Sequence, residues 1–231
     1  MSILRESLFI YKENLSKIVI LGFTILLPVQ ILLTIISNYL YFNYGMADLL
    51  FIADWINGIC VLISISVVSI PFIQIAKNTV MEENSTLTST YDAFMRYMLP
   101  VYLVSIPYVI AVSLGMLVLL IPGIIISVLF FAFPFVFVIE GETWKESIKK
   151  AYAFGKSHFI NLLLVIILFT LMEWLISMLT MFMTNLFTES YLIILSVNFL
   201  ASVFYFPIFY FFITVKYLNW IGEGKMDTFS T

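Results

Sequence analysis

The stretch Phe159-Ile-Asn-Leu-Leu-Leu-Val-Ile-Ile-Leu-Phe-Thr-Leu-Met-Glu173-Trp174-Leu-Ile-Ser-Met-Leu-Thr-Met-Phe182 decides the fold class, because its 24 residues carry one charge. About 20 apolar residues wound as a helix cross a hydrocarbon core of about 30 Å, so this segment reads as a membrane span. Working outward from it, five further apolar runs lie at residues 18–40, 49–75, 100–120, 121–139 and 191–216. Short polar connections separate most of them, such as 41–48 and 184–189. The expectation is an all-α polytopic bundle of six transmembrane helices.

Composition agrees. Apolar residues make up 62% of the 231-residue chain and charged residues 11%, against roughly 25% charged in a soluble domain. So few charges cannot cover a water-exposed surface, and the spans leave no room for a separate globular domain. Residues 1–231 therefore read as one integral membrane domain. Arg5, Glu6, Lys12 and Glu13 interrupt the apolar residues at the start, and no small-residue cleavage site follows, so the first span is expected to remain as an anchor.

The eleven basic residues fix an orientation. Arg5, Lys12 and Lys17 precede the first span, Lys77 and Arg96 lie between the second and third, and Lys145, Lys149, Lys150 and Lys156 between the fourth and fifth. Lys216 and Lys225 flank the end of the sixth, and the alternate connections carry none. Lys and Arg are retained on the cytoplasmic face during insertion. The reading is a cell (plasma) membrane protein with both termini cytoplasmic. The basic residues are spread along one membrane face without forming a stripe, which gives no reason to expect a nucleic-acid partner. Cys60 is the sole cysteine and lies in a span, which excludes an intrachain disulfide or thiolate cluster.

Proline falls inside five spans, at Pro28, Pro71, Pro107, Pro134 and Pro207, and each is expected to kink its helix. Between the third and fourth spans only Pro122-Gly123 breaks the apolar run, which reads as a tight hairpin turn made by those two residues.

Three segments on the basic side share an apolar stripe at helical spacing: Leu4, Leu8, Tyr11 and Leu15; Leu87, Tyr91, Phe94 and Met98; and Trp144, Ile148, Ala151 and Tyr152. In the third, Lys145, Glu146, Lys149 and Lys150 occupy the other faces. We read three amphipathic helices along the inner interface, each followed by a transmembrane hairpin, in units of approximately 1–75, 86–139 and 142–220. The alternative is that these helices simply extend the spans. Trp144, Lys145, Ile148, Lys149, Tyr152, Tyr91, Phe94, Leu8 and Tyr11 are the candidate surface for lipid headgroups or a protein partner.

One long stretch carries a family resemblance: Leu120-Ile-Pro-Gly-Ile to Ile139-Glu140-Gly141, then Trp144-Lys-Glu-Ser-Ile and Lys156-Ser-His-Phe159. It resembles bacterial multi-pass proteins that include the membrane domain fused to some glycerophosphodiester phosphodiesterases. The resemblance covers roughly residues 86–173 and implies an architecture and a membrane location. It implies no reaction, since the catalytic domain of the fused proteins has no counterpart here and His158 is the sole histidine.

Asp54 and Glu173 are the two carboxylates expected within spans. A carboxylate in hydrocarbon must be protonated, hydrated or paired, and no Lys or Arg is expected at that depth. They could form a proton or cation site facing a cavity, or simply reach headgroups beside the interfacial Trp55 and Trp174. The second reading is preferred for Asp54, while Glu173, being deeper, leaves both open. The aromatic run from Tyr205 to Phe212 could line a lipid groove, and is read in preference as lipid-facing surface and inner aromatic belt. No Walker loop, HExxH, GxSxG or CxxC motif occurs. The expected function is non-enzymatic, without metal or cofactor. It would be an accessory subunit for a membrane or cytoplasmic partner such as a transporter, or an envelope-homeostasis factor. A small transporter or lipid-moving protein, and an immunity protein against a membrane-active peptide, are the alternatives.

Overall fold

A computed structural model describes residues 3–83 and 85–223. Among them there is no β-strand. The helices are α1 (Ile3–Glu13), α2 (Leu15–Leu21), a π-helical turn (Gly22–Leu26), α3 (Leu27–Gly45), α4 (Leu50–Val80), α5 (Leu87–Val118), α6 (Leu120–Phe130), α7 (Phe133–Glu140), α8 (Trp144–Ser157), α9 (Phe159–Asn185) and α10 (Tyr191–Ile221). Six helical spans are long and apolar enough to cross a membrane: Leu15–Gly45, Leu50–Val80, Leu87–Val118, Leu120–Glu140, Phe159–Asn185 and Tyr191–Ile221. The chain is an all-α, multi-pass membrane bundle. At 1.5 Å per residue a 31-residue span is about 47 Å long, so the longer helices overshoot the hydrocarbon core or tilt within it. The apolar runs underestimate these lengths because the polar turns at the helix ends remain helical.

Polar contacts gather the basic residues at one end. Asn14 Nδ2 donates to Thr79 Oγ1 at 3.1 Å, Thr24 Oγ1 pairs with Tyr91 Oη at 2.5 Å, and Lys77 Nζ reaches the Val138 carbonyl at 3.5 Å. These bonds tie the start of the first span, the end of the second, the start of the third and the end of the fourth. We call this the basic end. Lys225 lies outside the described residues.

Packing is tightest in the half of the bundle near that end. The central helix α4 packs against α3, α5, α7 and α10, and most of it is buried from Ser66 to Val80. Every residue of α7 from Phe133 to Ile139 is buried. Inside a bilayer, lipid tails compete equally for apolar surface, so interlocking shapes rather than water exclusion hold helices together. Phe72 stacks on Tyr210 at 5.9 Å between ring centres, and Phe131 meets Phe209 edge-on at 5.6 Å. The aromatic run of α10 is thus not mainly lipid-facing. Tyr210 and Phe211 are core residues, because α4, α1 and α9 pack around α10 and cover more than one of its faces. Toward the opposite end packing is looser, with Leu40 the one buried residue of α3 and Ala53 the one buried residue of α4 before Ser66. Helix α9 is peripheral throughout, with 6% of its most apolar stretch buried against 50% for α4.

Proline acts as the sequence implies at some sites and differently at others. Pro28 lacks the N–H that would close the turn behind it. The helix absorbs this as a π-turn, in which the Leu27 N–H reaches back five residues to the Gly22 carbonyl. Pro134 occupies the first turn of α7, where the fourth span is broken after Phe130. Pro71, Pro100, Pro107 and Pro207 sit inside continuous helices.

Two expectations are corrected. The reversal between the third and fourth spans is not made by Pro122-Gly123. It is made by Leu119 alone, extended at φ −157°, ψ 136°. Pro122 sits in the first turn of α6, where no helical partner for its nitrogen is needed. Gly123 lies against Met116, where an added Cβ would stand 2.7 Å from the Met116 backbone nitrogen. The glycine therefore serves close packing of the two arms rather than the turn itself. The second correction concerns the Leu87, Tyr91, Phe94 and Met98 stripe, which forms the first turns of the continuous helix α5 and not a separate interfacial helix. The other two segments are separate helices, α1 ending before Asn14 and α8 ending at Ser157.

Candidate functional site

Charged side chains concentrate toward the two ends of the bundle, with Glu173 near the middle of α9 as an exception. At the basic end, α7 terminates at Glu140 because Gly141 takes the left-handed conformation (φ +65°) and turns the chain back on itself. This brings Glu142 beside Glu140. Two turns into α8, Lys150 Nζ then donates to Glu142 Oε1 at 2.8 Å and to Glu140 Oε2. From α10, the buried Tyr217 hydroxyl donates to the other oxygen of Glu140. Phe154 of α8 packs edge-on against Tyr217 and Trp220. The network locks α7, α8 and α10 together. The hydrogen bonds that Lys150 donates to Glu140 and then to Glu142 hold its ammonium above the usual lysine range. In return, the bond and charge of Lys150 hold the Glu142 carboxyl below the usual glutamate range. Neither Glu140 nor Tyr217 stood out in the sequence as a site residue. The Glu140 to Lys150 spacing across a glycine was a usable signal, whereas Tyr217 lies 77 residues from its partner.

The clamp sets the face that α8 shows outward. Ser147, Ala151, Phe154 and Gly155 are its buried side and Ile148 is half-buried. Trp144, Lys145, Lys149 and Tyr152 project from the bundle. Trp144 is 57% exposed and carries the Lys145 ammonium 5.3 Å above its ring. Lys149 pairs with Glu146 at 3.7 Å in an exposed bridge that contributes little. Of the other stripe residues, Leu8 is exposed while Tyr11, Tyr91 and Phe94 are half-buried.

Asp54 and Glu173 are not brought together. Each accepts a hydrogen bond from a tyrosine on a neighbouring helix. Tyr41 Oη donates to Asp54 Oδ1 at 2.6 Å, joining α3 to α4. Tyr205 Oη donates to Glu173 Oε1 at 3.3 Å, joining α10 to α9. Glu173 is the fifteenth of the 27 residues of α9, near its middle. Tyr205 also lines an open groove of about 550 Å³ between α1, α9 and α10, walled by Ile176, Phe204 and Ile208 with Tyr11 and Lys12 at its rim. Asp54 lines a separate crevice of about 320 Å³ between α4 and α5. The tyrosine partners were not legible in advance: Tyr41 falls in what reads as a loop, but it belongs to the last turns of α3.

His158 touches the Ser157 hydroxyl at 2.8 Å. Among the described residues no three His, Cys, Asp or Glu side chains converge as a metal site would require. No protein-family model matches the chain, and neither a curated protein nor a solved structure is similar to it at a significant level.

Proposed function

We propose that this is a non-enzymatic, multi-pass protein of a bacterial cell membrane that serves as an accessory subunit, with its basic end in the cytoplasm. The observation that carries this reading is the contrast between the two parts of the bundle. The basic-end core is interlocked, yet α9 offers nearly all of its apolar length outward, and α8 is clamped so that Trp144, Lys145 and Lys149 project from that core. A rigid element displaying an exposed Trp with flanking cations suits contact with a partner, since Trp anchors dominate binding energy at interfaces. The orientation is supported by the placement of the basic residues, and the bacterial setting by the resemblance of residues 86–173.

A specific observation favours a second reading, in which the chain moves or holds lipid. The groove between α1, α9 and α10 runs beside the Tyr205–Glu173 pair. Affinity purification from mild detergent separates the two. Trp144→Ala combined with Lys149→Ala leaves Lys150 and the clamp intact, and it should release a stoichiometric partner while the protein stays folded. Glu173→Gln keeps an acceptor for Tyr205 and should leave that partner bound. A chain that purifies alone with lipid, and loses activity on Glu173→Gln, would replace the accessory reading by the lipid one.

A further inference from the structure

The end of the bundle opposite the basic one is acidic. The connections there carry Asp48 and Glu189 and no Lys or Arg, and Asp54 sits in the second turn of α4. There the helices have separated enough to open the 320 Å³ crevice between α4 and α5, a volume within the about 300–1,000 Å³ of ordinary ligand sites. Phe51, Trp55, Met116 and Leu117 wall it with apolar and aromatic surface. Its floor is open at Gly58, where an added Cβ would meet nothing within 4 Å.

The single charge in this crevice is Asp54. Its Oδ1 is held by the Tyr41 hydroxyl at 2.6 Å, which fixes the carboxylate in place. Among the described residues it takes part in no ion pair. An oriented, uncompensated anion at the edge of an aromatic-walled crevice is matched by an organic cation with an apolar body. The charge would face Asp54 and ring surface would cover the rest. A bare metal ion would find one carboxylate and no further anionic ligand, and an apolar anion would meet repulsion from Asp54.

We propose that this crevice binds amphipathic organic cations, with Asp54 as the charge partner, Tyr41 as the residue that positions it, and the volume beside Gly58 as the seat of the apolar body. The test uses the full chain in nanodiscs with tetraphenylphosphonium as probe and tetraphenylborate, an anion of the same shape, as control. Tetraphenylphosphonium should bind saturably and tetraphenylborate should not. Asp54→Asn preserves an acceptor for Tyr41 and should weaken the cation at least about tenfold. Gly58→Leu fills the open space, favours the helix and should abolish binding without unfolding the protein. That second variant keeps the test decisive if Asp54→Asn proves unstable. Absence of saturable cation binding to the wild type would overturn the proposal. So would equal binding of the borate, or retention of affinity within about twofold in folded Gly58→Leu.

Discussion

Glu140 accepts from Lys150 on one oxygen and from Tyr217 on the other, so three separate helices depend on one carboxylate. Removing the tyrosine hydroxyl leaves a buried ring and a carboxylate short of one donor. Tyr217→Phe should therefore cost about 1–3 kcal/mol of stability, read as a lower melting temperature in detergent. Lys150→Met removes the counter-charge of two carboxylates, and its penalty should vary with pH in a defined way. Lys150 is held above its ordinary value, so its stabilisation is complete at neutral pH and fades as pH rises beyond the usual lysine range of about 10.4. Glu142 is held below its ordinary value, so its share fades as pH falls below about 4.3. The melting difference between wild type and Lys150→Met should be flat between about pH 5 and pH 10 and shrink on both sides. A difference that grows steadily with acidification would show that another group dominates. At this scale the sequence marks which carboxylates are unusual, such as Glu173 and Asp54, because an acid in an apolar run stands out. It does not mark their partners. Tyr41, Tyr205 and Tyr217 are ordinary residues in aromatic-rich helices until the fold brings each to an acid.

Helix boundaries depend on what happens at the breaks. Apolar length locates all six spans, since a bilayer of fixed thickness demands it. The joints are harder, because the same residues can act in more than one way. Pro28 yields a π-turn, Pro134 a broken span, and Pro122 the harmless first turn of α6. The difference lies in whether the missing N–H had a helical partner to lose, which depends on a start position that apolar composition conceals. The α5–α6 hairpin gives the sharpest check. If Gly123 is there for packing against Met116, then Gly123→Ala should destabilise by about 1–3 kcal/mol through overpacking. Pro122→Ala should be nearly neutral, because its ring occupies a tolerated position. Thermal unfolding of both variants decides the matter, and the opposite ranking would restore the proline-glycine turn. The stripe on α5 carries the same lesson. Its period was correctly helical, but periodicity shows which face is apolar and not where one helix stops.

The molecule as a whole is polarised. Its basic end is closed by interlocking aromatic side chains and by polar ties among five of the six spans. The other end is more open, carries Asp48, Asp54 and Glu189, and holds the crevice between α4 and α5. Charge asymmetry was legible from the sequence, because Lys and Arg report topology directly. The difference in packing between the ends was not, because apolar residues that face lipid and those that face protein look alike when the solvent is hydrocarbon. The proposed function and the cation crevice both take their physiological meaning from which compartment each end faces. Cysteines placed singly at Ala47, Glu189 and Lys145 in a Cys60→Ser background, probed with a membrane-impermeant maleimide, measure that orientation. In intact cells the Ala47 and Glu189 positions should label and the Lys145 position should label only after permeabilisation. Labelling of the Lys145 position in intact cells, with protection of the other two, would contradict the account.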